Sequence, residues 1–342
     1  MTTPLRSMLD SLLDGTDLSE PDAEALLVAL TDATMPPAMA GAMLAALRSK
    51  GVAPAELRGF ARAMRGLARR PQLPAVGPIV DVVGTGGDGS HSFNLSTGTA
   101  LLSAACGVRI AKHGNRSVSS RSGSADLLEA LGLVLPLDEI RAGQCLERTG
   151  FTFLFAPHYH PAMKAVAPVR AALGVRTVFN MLGPLTNPAA PPYQLIGAYS
   201  LEAARLIAEA LAGLPIERAY VLHGSPGWDE PTPAGPFTLI EVADGTTSES
   251  VRSAADYGLP SCSPEELRGG DAAHNAEQLK AVFAGRDRGA HRHALILGAA
   301  LVLQLTGRAT DPHAAAAQAG ETLDSGAAEK LLASLAAFAK SP

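Results

Sequence analysis

The chain is poor in cysteine, in charge and in long apolar runs, and each shortage removes a class of protein. Only three cysteines, Cys106, Cys145 and Cys262, occur in 342 residues. Their spacing matches neither a zinc site nor a disulfide framework, which points to a reducing, cytoplasmic compartment. Charged residues make up 18% of the chain and sum to a formal -5, so there is no basic stripe to neutralise a nucleic-acid backbone. The strongly apolar stretch 295–303 is bounded by Arg292, His293 and Gln304 and is too short to cross a bilayer. The opening residues show no basic segment followed by an apolar run and a cleavage site, so export is not expected.

What is present is a 47% hydrophobic composition, enough to bury one large core or two unequal ones. The first seventy residues are patterned as helices. Ser19 suits an N-cap with Asp22 in the capping-box position, Pro36 or Pro37 suits the first turn of a second helix that Gly51 stops, and Pro54 opens a third. A Pro-rich connector at 71–78 precedes strand-like runs at 79–83, 108–111, 151–155, 195–199, 219–222 and 237–242. Helical patterns at 95–105, 124–131, 140–148 and 202–212 fall between them, and the last third turns helical at 275–283, 290–305, 312–323 and 327–338. This alternation predicts an α/β fold: a small helical domain at 1–70, joined by part of 162–190, and a large domain at 76–338 with a parallel or mixed central sheet flanked by helices. The 162–190 region is expected near the hinge.

The chemistry concentrates between Val83 and Asp126. DVVGTGGD, from Asp81 to Asp88, passes from a strand into three glycines in four positions. Such glycines let backbone amides approach a phosphate directly. Ser90, His91, Ser92, Asn94, Ser96 and Thr97 follow where the next helix should begin, and its positive end favours a second phosphate. The motif carries neither a Walker-type GKS or GKT ending nor a GxGxxG fingerprint, which disfavours an ATPase or a dinucleotide enzyme.

After the next strand comes KHGNRSVSSRSGSAD, from Lys112 to Asp126. Lys112 and Arg116 suit phosphate charges, and Ser117 to Ser120 supply hydroxyl and amide donors. Taken singly, Lys112, Arg116 and Arg121 also fit a solvated basic loop. His113 fits a catalytic base, a ligand-orienting group or a partner for a buried carbonyl. The adjacent acids Asp229 and Glu230, after a strand and the loop HGSPGW, suit either magnesium or an exposed acidic turn.

The combination of GTGGD, NLST, KHGN, RTVFNMLGPLTNP and the Asp229-Glu230 pair resembles the anthranilate phosphoribosyltransferases, over nearly the whole chain. The resemblance implies transfer of the phosphoribosyl group of 5-phosphoribosyl 1-diphosphate to the amine of anthranilate, in tryptophan biosynthesis, by a magnesium-dependent homodimer. It places the diphosphate substrate on Gly84, Gly87, Asp88, Ser92, Asn94, Leu95, Ser96, Thr97, Lys112, His113, Gly114, Asn115, Arg116, Ser117, Val118, Ser119 and Ser120. Gly84, Asn115 and Arg170 are implied for anthranilate, and Ser96, Asp229 and Glu230 for Mg2+. Lys112, His113, Asn115 and Arg170 are the implied catalytic set.

A guanidinium at Arg170 can hold a carboxylate by paired hydrogen bonds, although a surface helix residue with an acidic neighbour is the plainer reading. Arg176 is a weaker candidate for the same task and can equally pair internally. Asn180 is expected to fix its turn, and Ser124 to support the phosphate loop or cap a helix. Two departures from the family stand out: Trp228 and Pro231-Thr232-Pro233 flank the acidic pair, and Gly298 replaces a usual Asn. The alternatives are a pyrimidine nucleoside phosphorylase, a phosphoribosyltransferase for another acceptor, and a regulator that binds phosphometabolites without catalysis.

Overall fold

The computed structural model describes residues 3–75, 77–117 and 121–340. Four helices come first: α1 (Leu5–Leu13), α2 (Glu20–Leu30), α3 (Pro37–Lys50) and α4 (Pro54–Leu67). The Ser19 hydroxyl accepts the Asp22 N–H and donates to its carboxylate, which closes the first turn of α2 as its sequence predicts. Helix α1 falls within the helical patterning of the first seventy residues, with Leu5, Met8, Leu9 and Leu12 at helical spacing.

The remaining elements are β1 (Ile79–Gly84), α5 (Leu95–Ala105), β2 (Arg109–Gly114), α6 (Ser124–Ala130), α7 (Glu139–Thr149), β3 (Phe151–Phe155), α8 (Ala156–Tyr159), α9 (Met163–Leu173), α10 (Phe179–Leu182), β4 (Tyr193–Gly197), α11 (Leu201–Ala212), β5 (Arg218–Gly224), β6 (Phe237–Ala243), β7 (Thr246–Arg252), α12 (Ala272–Phe283), α13 (Ala290–Leu305), α14 (Pro312–Asp324) and α15 (Ala327–Ala339). The sheet order is β3-β2-β1-β4-β5-β6-β7. β1 to β5 are parallel, and β6 and β7 add an antiparallel edge. The mixed form of the expected sheet is therefore the one adopted. The chain passes from β3 at one edge back to β4 beside β1, so the order reverses between β1 and β4, where open α/β sheets form ligand crevices at the strands' C-terminal ends.

Two apolar cores lie on the sheet's opposite faces. One joins β1 to β3 with α5 to α7 and the helices α12 to α15. The other joins α1 to α4 with α11, α10 and residues Val83, Ile196 and Val221 of the sheet. The opening helices thus pack against the sheet's own helical layer. Helix α13 is buried along nearly its whole length, and no helix among the described residues is long and apolar enough to cross a membrane.

Two local expectations need correction, and one strand escaped the sequence reading. β2 continues to Gly114, so Lys112 and His113 sit on the strand and not in the loop after it; parallel pairing with β3 through Gly114 holds them there. β4 occupies Tyr193–Gly197 instead of 195–199. Strand β7, TTSESVR, is exposed over nearly all its length, and a polar edge strand carries no hydrophobic alternation by which to find it.

Candidate functional site

The C-terminal ends of β1 and β2 carry two pockets with a common wall. The first, of about 360 Å³, is lined by the glycine loop, the start of α5, Lys112 and the Asp229-Glu230 pair. The second, of about 440 Å³, is lined by Arg170, His160, Met163, Phe179 and Met64. Val83, Gly84, His113, Gly114 and Asn115 face both.

In the first pocket, Gly86 and Gly87 take φ of 68° and 72°, the left-handed region where only glycine is unstrained. Gly86 N–H donates to Asp229 Oδ2 at 2.6 Å, and Asp229 N–H donates to Asp88 at 3.2 Å. A Cβ at Gly84 would lie 2.5 Å from Asp229 Oδ2, so the close approach of the acidic loop requires glycine there. Glu230 Oε1 accepts the Ser96 N–H at 3.0 Å, at the first turn of α5. The acidic loop is therefore tied to both the glycine loop and the start of α5.

Three acids crowd this pocket, and its charge is incompletely offset. Burial and the neighbouring Asp88 push Asp229 up to about 7, and burial with Asp229 beside it raises Glu230 well above the ordinary carboxylate range. Lys112, almost wholly buried, donates to Val82 O and to Ser96 Oγ; burial lowers its pKa while Asp81, Glu230 and Asp229 oppose that. A hard divalent cation fits this oxygen-only, over-acidic arrangement. Among the described residues no group of three metal-ligating side chains is preformed.

Other sequence-predicted residues divide clearly. Gly87, Asp88, Ser92, Asn94, Ser96 and Thr97 line the first pocket, and the Thr97 hydroxyl is buried without a protein partner. Asn94 is held by Asn275 at 2.8 Å and by its own bond to Ser122 O. Leu95 instead faces the core. Arg116 is turned to Asp126 and Glu129, over the Phe155 ring, and does not line the pocket. Ser117 N–H donates to Asp126, whereas Val118, Ser119 and Ser120 lie outside the described residues. Ser124 opens α6 and donates to Asn115 O at 3.1 Å, so it supports the shared wall.

In the second pocket, Arg170 lies in the last turn of α9, with its guanidinium 4.9 Å above the Phe179 ring. Among the described residues, Lys164 is the only other lysine or arginine lining this pocket, and no Asp or Glu lines it. His113 Nδ1 meets Gly183 O at 3.3 Å; a carbonyl only accepts, so Nδ1 carries the proton. Burial, with His160 nearby, pushes His113 down to about 3, and burial pushes His160 down to about 4. Both rings are neutral at pH 7, stacked edge to face at 5.1 Å. Arg176 pairs internally, with Gly87 O and the Tyr199 ring, and Asn180 fixes its turn by accepting the Thr177 N–H at 2.9 Å.

Sequence reasoning missed His160, Phe179 and Met163 as pocket walls, since an apolar pocket assembled from a helix and a turn looks like ordinary core. It also passed over Asp81 and Asn187, both fully buried. The signal for Asp81 was a lone acid in the strand IVDVVG. Burial pushes it up to about 6, against the influence of Lys112 and Asn187. The departures are accommodated by packing: Trp228 is buried in the core with its carbonyl accepting Gly224 N–H at 2.8 Å, and a Cβ at Gly298 would lie 2.3 Å from Thr99 Oγ1.

Comparison with known proteins agrees with this geometry. Residues 76–329 match the α/β domain of a glycosyl transferase family and residues 6–68 its helical bundle domain. Anthranilate phosphoribosyltransferases from Desulforudis audaxviator and Rubrobacter xylanophilus are each 45% identical, covering 98% of this chain and 96% and 97% of their own. The crystal structure of the Thermus thermophilus anthranilate phosphoribosyltransferase superposes with a TM-score of 0.91 at 42% identity, covering 97% of this chain and 99% of that one. The Saccharomyces cerevisiae enzyme, solved in complex with PRPP and Mg, gives 0.89 at 28% identity, covering 99% and 98%. The chain belongs to the anthranilate phosphoribosyltransferase family.

Proposed function

We propose that the chain transfers the phosphoribosyl group of 5-phosphoribosyl 1-diphosphate to the amine of anthranilate, giving N-(5-phosphoribosyl)anthranilate and diphosphate. The observation that carries this reading is the pair of pockets with one shared wall: one built for phosphate and a divalent cation, the other apolar with a cation at Arg170. The yeast relative solved with PRPP and Mg, and again with 4-fluoroanthranilate, supports the same two ligands.

The glycine-loop amides and the first turn of α5 hold the phosphates, and Lys112 faces the charge that grows on the leaving diphosphate. Asp229 and Glu230, with the Ser96 hydroxyl, are the residues we assign to Mg2+, which when bound neutralises leaving-group charge. Arg170 holds the anthranilate carboxylate, and Asn115 in the shared wall orients the amine toward the anomeric carbon. As the nitrogen lone pair forms the new C–N bond, the C–O bond to diphosphate breaks and its electrons leave with that oxygen. The aromatic amine is neutral near pH 7 and loses its proton after bonding, so no strong base is required. His113, held neutral with its Nε2 lacking a protein partner, is placed to accept a hydrogen bond in the shared wall.

Residues 1–70 with part of 162–190 form, in this reading, the helical domain that closes on the acceptor. The partner proposed for it is a second copy of the chain, supported by an apolar groove between the α2–α3 junction and α9, lined by Leu30, Met35, Val169 and Leu173; sedimentation at micromolar concentration is expected to show a dimer, and a monomer there contradicts it. The activity is tested by offering purified protein, 5-phosphoribosyl 1-diphosphate and magnesium a series of acceptors. Product from anthranilate is expected. Binding of both ligands without product, or product only from another acceptor, contradicts the assignment.

A further inference from the structure

The central sheet is unevenly paired. β1 keeps register with β4 over five positions, Val80 to Gly84, and β2 with β3 over five, Ile110 to Gly114. β1 and β2 share only Ile79 with Arg109 and Val80 with Ile110. Beyond those two positions, the buried strands that end in the two pockets have lost their ladder. Buried backbone donors and acceptors without partners are costly and rare.

Side chains take the ladder's place. Asp81 Oδ1 accepts the His113 N–H at 3.1 Å. The Asn187 amide donates to Ala111 O at 2.8 Å and to Asp81 Oδ2 at 2.8 Å, and its own oxygen accepts the Ala189 N–H at 2.9 Å. Lys112 donates to Val82 O. The bonds to His113, Ala111 and Val82 all lie beyond the last paired position of β1 and β2, and neither Asp81 nor Asn187 exposes any surface. A carboxylate buried this deeply is an expensive way to join two strands that ordinary pairing would join for less.

We infer that Asp81 and Asn187 are positioning residues for the transfer, forming a side-chain seam that replaces the β1–β2 ladder and fixes Gly84 on one strand relative to Lys112, His113 and Asn115 on the other. The inference rests on the proposed use of the two pockets. Since the residues fixed by the seam form the wall common to both, its loss disturbs both substrates together. Asn187 reaches the seam from the turn after α10, so it also ties that turn to the sheet.

The test is steady-state kinetics with both substrates, alongside thermal melts, on full-length Asp81→Asn, Asn187→Ala, the exchanged pair Asp81→Asn with Asn187→Asp, and Lys112→Ala. Asp81→Asn keeps shape and removes charge, and is expected to lower kcat at least tenfold and to raise both KM values. The exchanged pair retains an acceptor for the His113 N–H and the bond between the two side chains but gives up the donor to Ala111 O, and is expected to recover part of that loss. If either single variant fails to fold, Asn187→Ser is measured in its place. Variants that melt earlier but keep kcat and both KM values within twofold of the parent, while Lys112→Ala is impaired, overturn the seam and leave the site reading intact. An unimpaired Lys112→Ala removes the site reading, and the seam's role with it.

Discussion

The two pockets at the ends of β1 and β2 share a wall and differ in almost everything else. The phosphate side is polar, built from backbone amides, hydroxyls and three crowded acids around one buried lysine. The acceptor side is apolar, with two neutral histidines and Arg170 over Phe179. A substrate with several negative oxygens is held by many weak donors and a cation, whereas a flat aromatic acid needs one apolar slot and one fixed positive charge. In the proposed reading, the pairing of unlike pockets across residues 113–115 is what brings the two unlike substrates together.

The largest expected effect breaks one half alone. Replacing Asp229 and Glu230 together by Asn and Gln should reduce kcat/KM for the diphosphate substrate on the order of 10²–10³-fold, in the range for losing transition-state charge stabilisation. A magnesium titration of turnover checks it, and an unchanged magnesium dependence counts against the metal assignment. Gly84→Ala strikes the shared wall, because its Cβ would lie 2.5 Å from Asp229 Oδ2. Displacing the acidic loop should lower turnover about 10²-fold and raise both KM values, where a change in one alone argues against a common wall.

Smaller effects sharpen the contrast through stability. Gly298→Ala presses on Thr99 Oγ1 behind the phosphate side, and should destabilise by about 1–3 kcal/mol, with Thr99→Ala restoring the melting temperature. On the acceptor side, His160 is held near 4 by burial against an unfolded value of about 6.5. A histidine whose folded pKa is depressed gives its full stability above the unfolded value and loses it as pH falls toward the folded one. His160→Gln should therefore remove about 2 kcal/mol of the stability difference between pH 7 and pH 5, measured by denaturant melts; a difference equal to the parent's shows that the ring is not buried neutral.

The contrast also explains what could be read from sequence. The phosphate side is nearly contiguous: Gly84 to Thr97 and Lys112 to Asn115 are two strand-to-helix passages, and glycines, hydroxyls and a lysine in such places have few other uses. Arg116 misled because a cation beside a phosphate motif looks like a ligand until Asp126 and Glu129, ten and thirteen residues on, claim it. The acceptor side is drawn from α4, the β3–α8 junction, α9 and α10, and only its single arginine stands out in one dimension. The seam was invisible for a further reason. Asp81 and Asn187 lie 106 residues apart, and an Asn before a proline reads as a turn. Of the fold, buried apolar strands and capped helices were legible, whereas the polar edge β7 lacked a periodic signal.

The central claim is that the two pockets take the two substrates separately, and crossed binding measurements test it most directly. Calorimetric titrations of 5-phosphoribosyl 1-diphosphate with magnesium, and of anthranilate, on the parent, on Arg170→Ala and on the Asp229→Asn, Glu230→Gln pair give six affinities. The account predicts that Arg170→Ala weakens anthranilate by about 10-fold or more, the scale of a charge-assisted hydrogen bond, and leaves the diphosphate substrate within twofold, with the paired variant showing the reverse. Arg170→Ala weakening the diphosphate substrate instead, or leaving anthranilate unchanged, would contradict it.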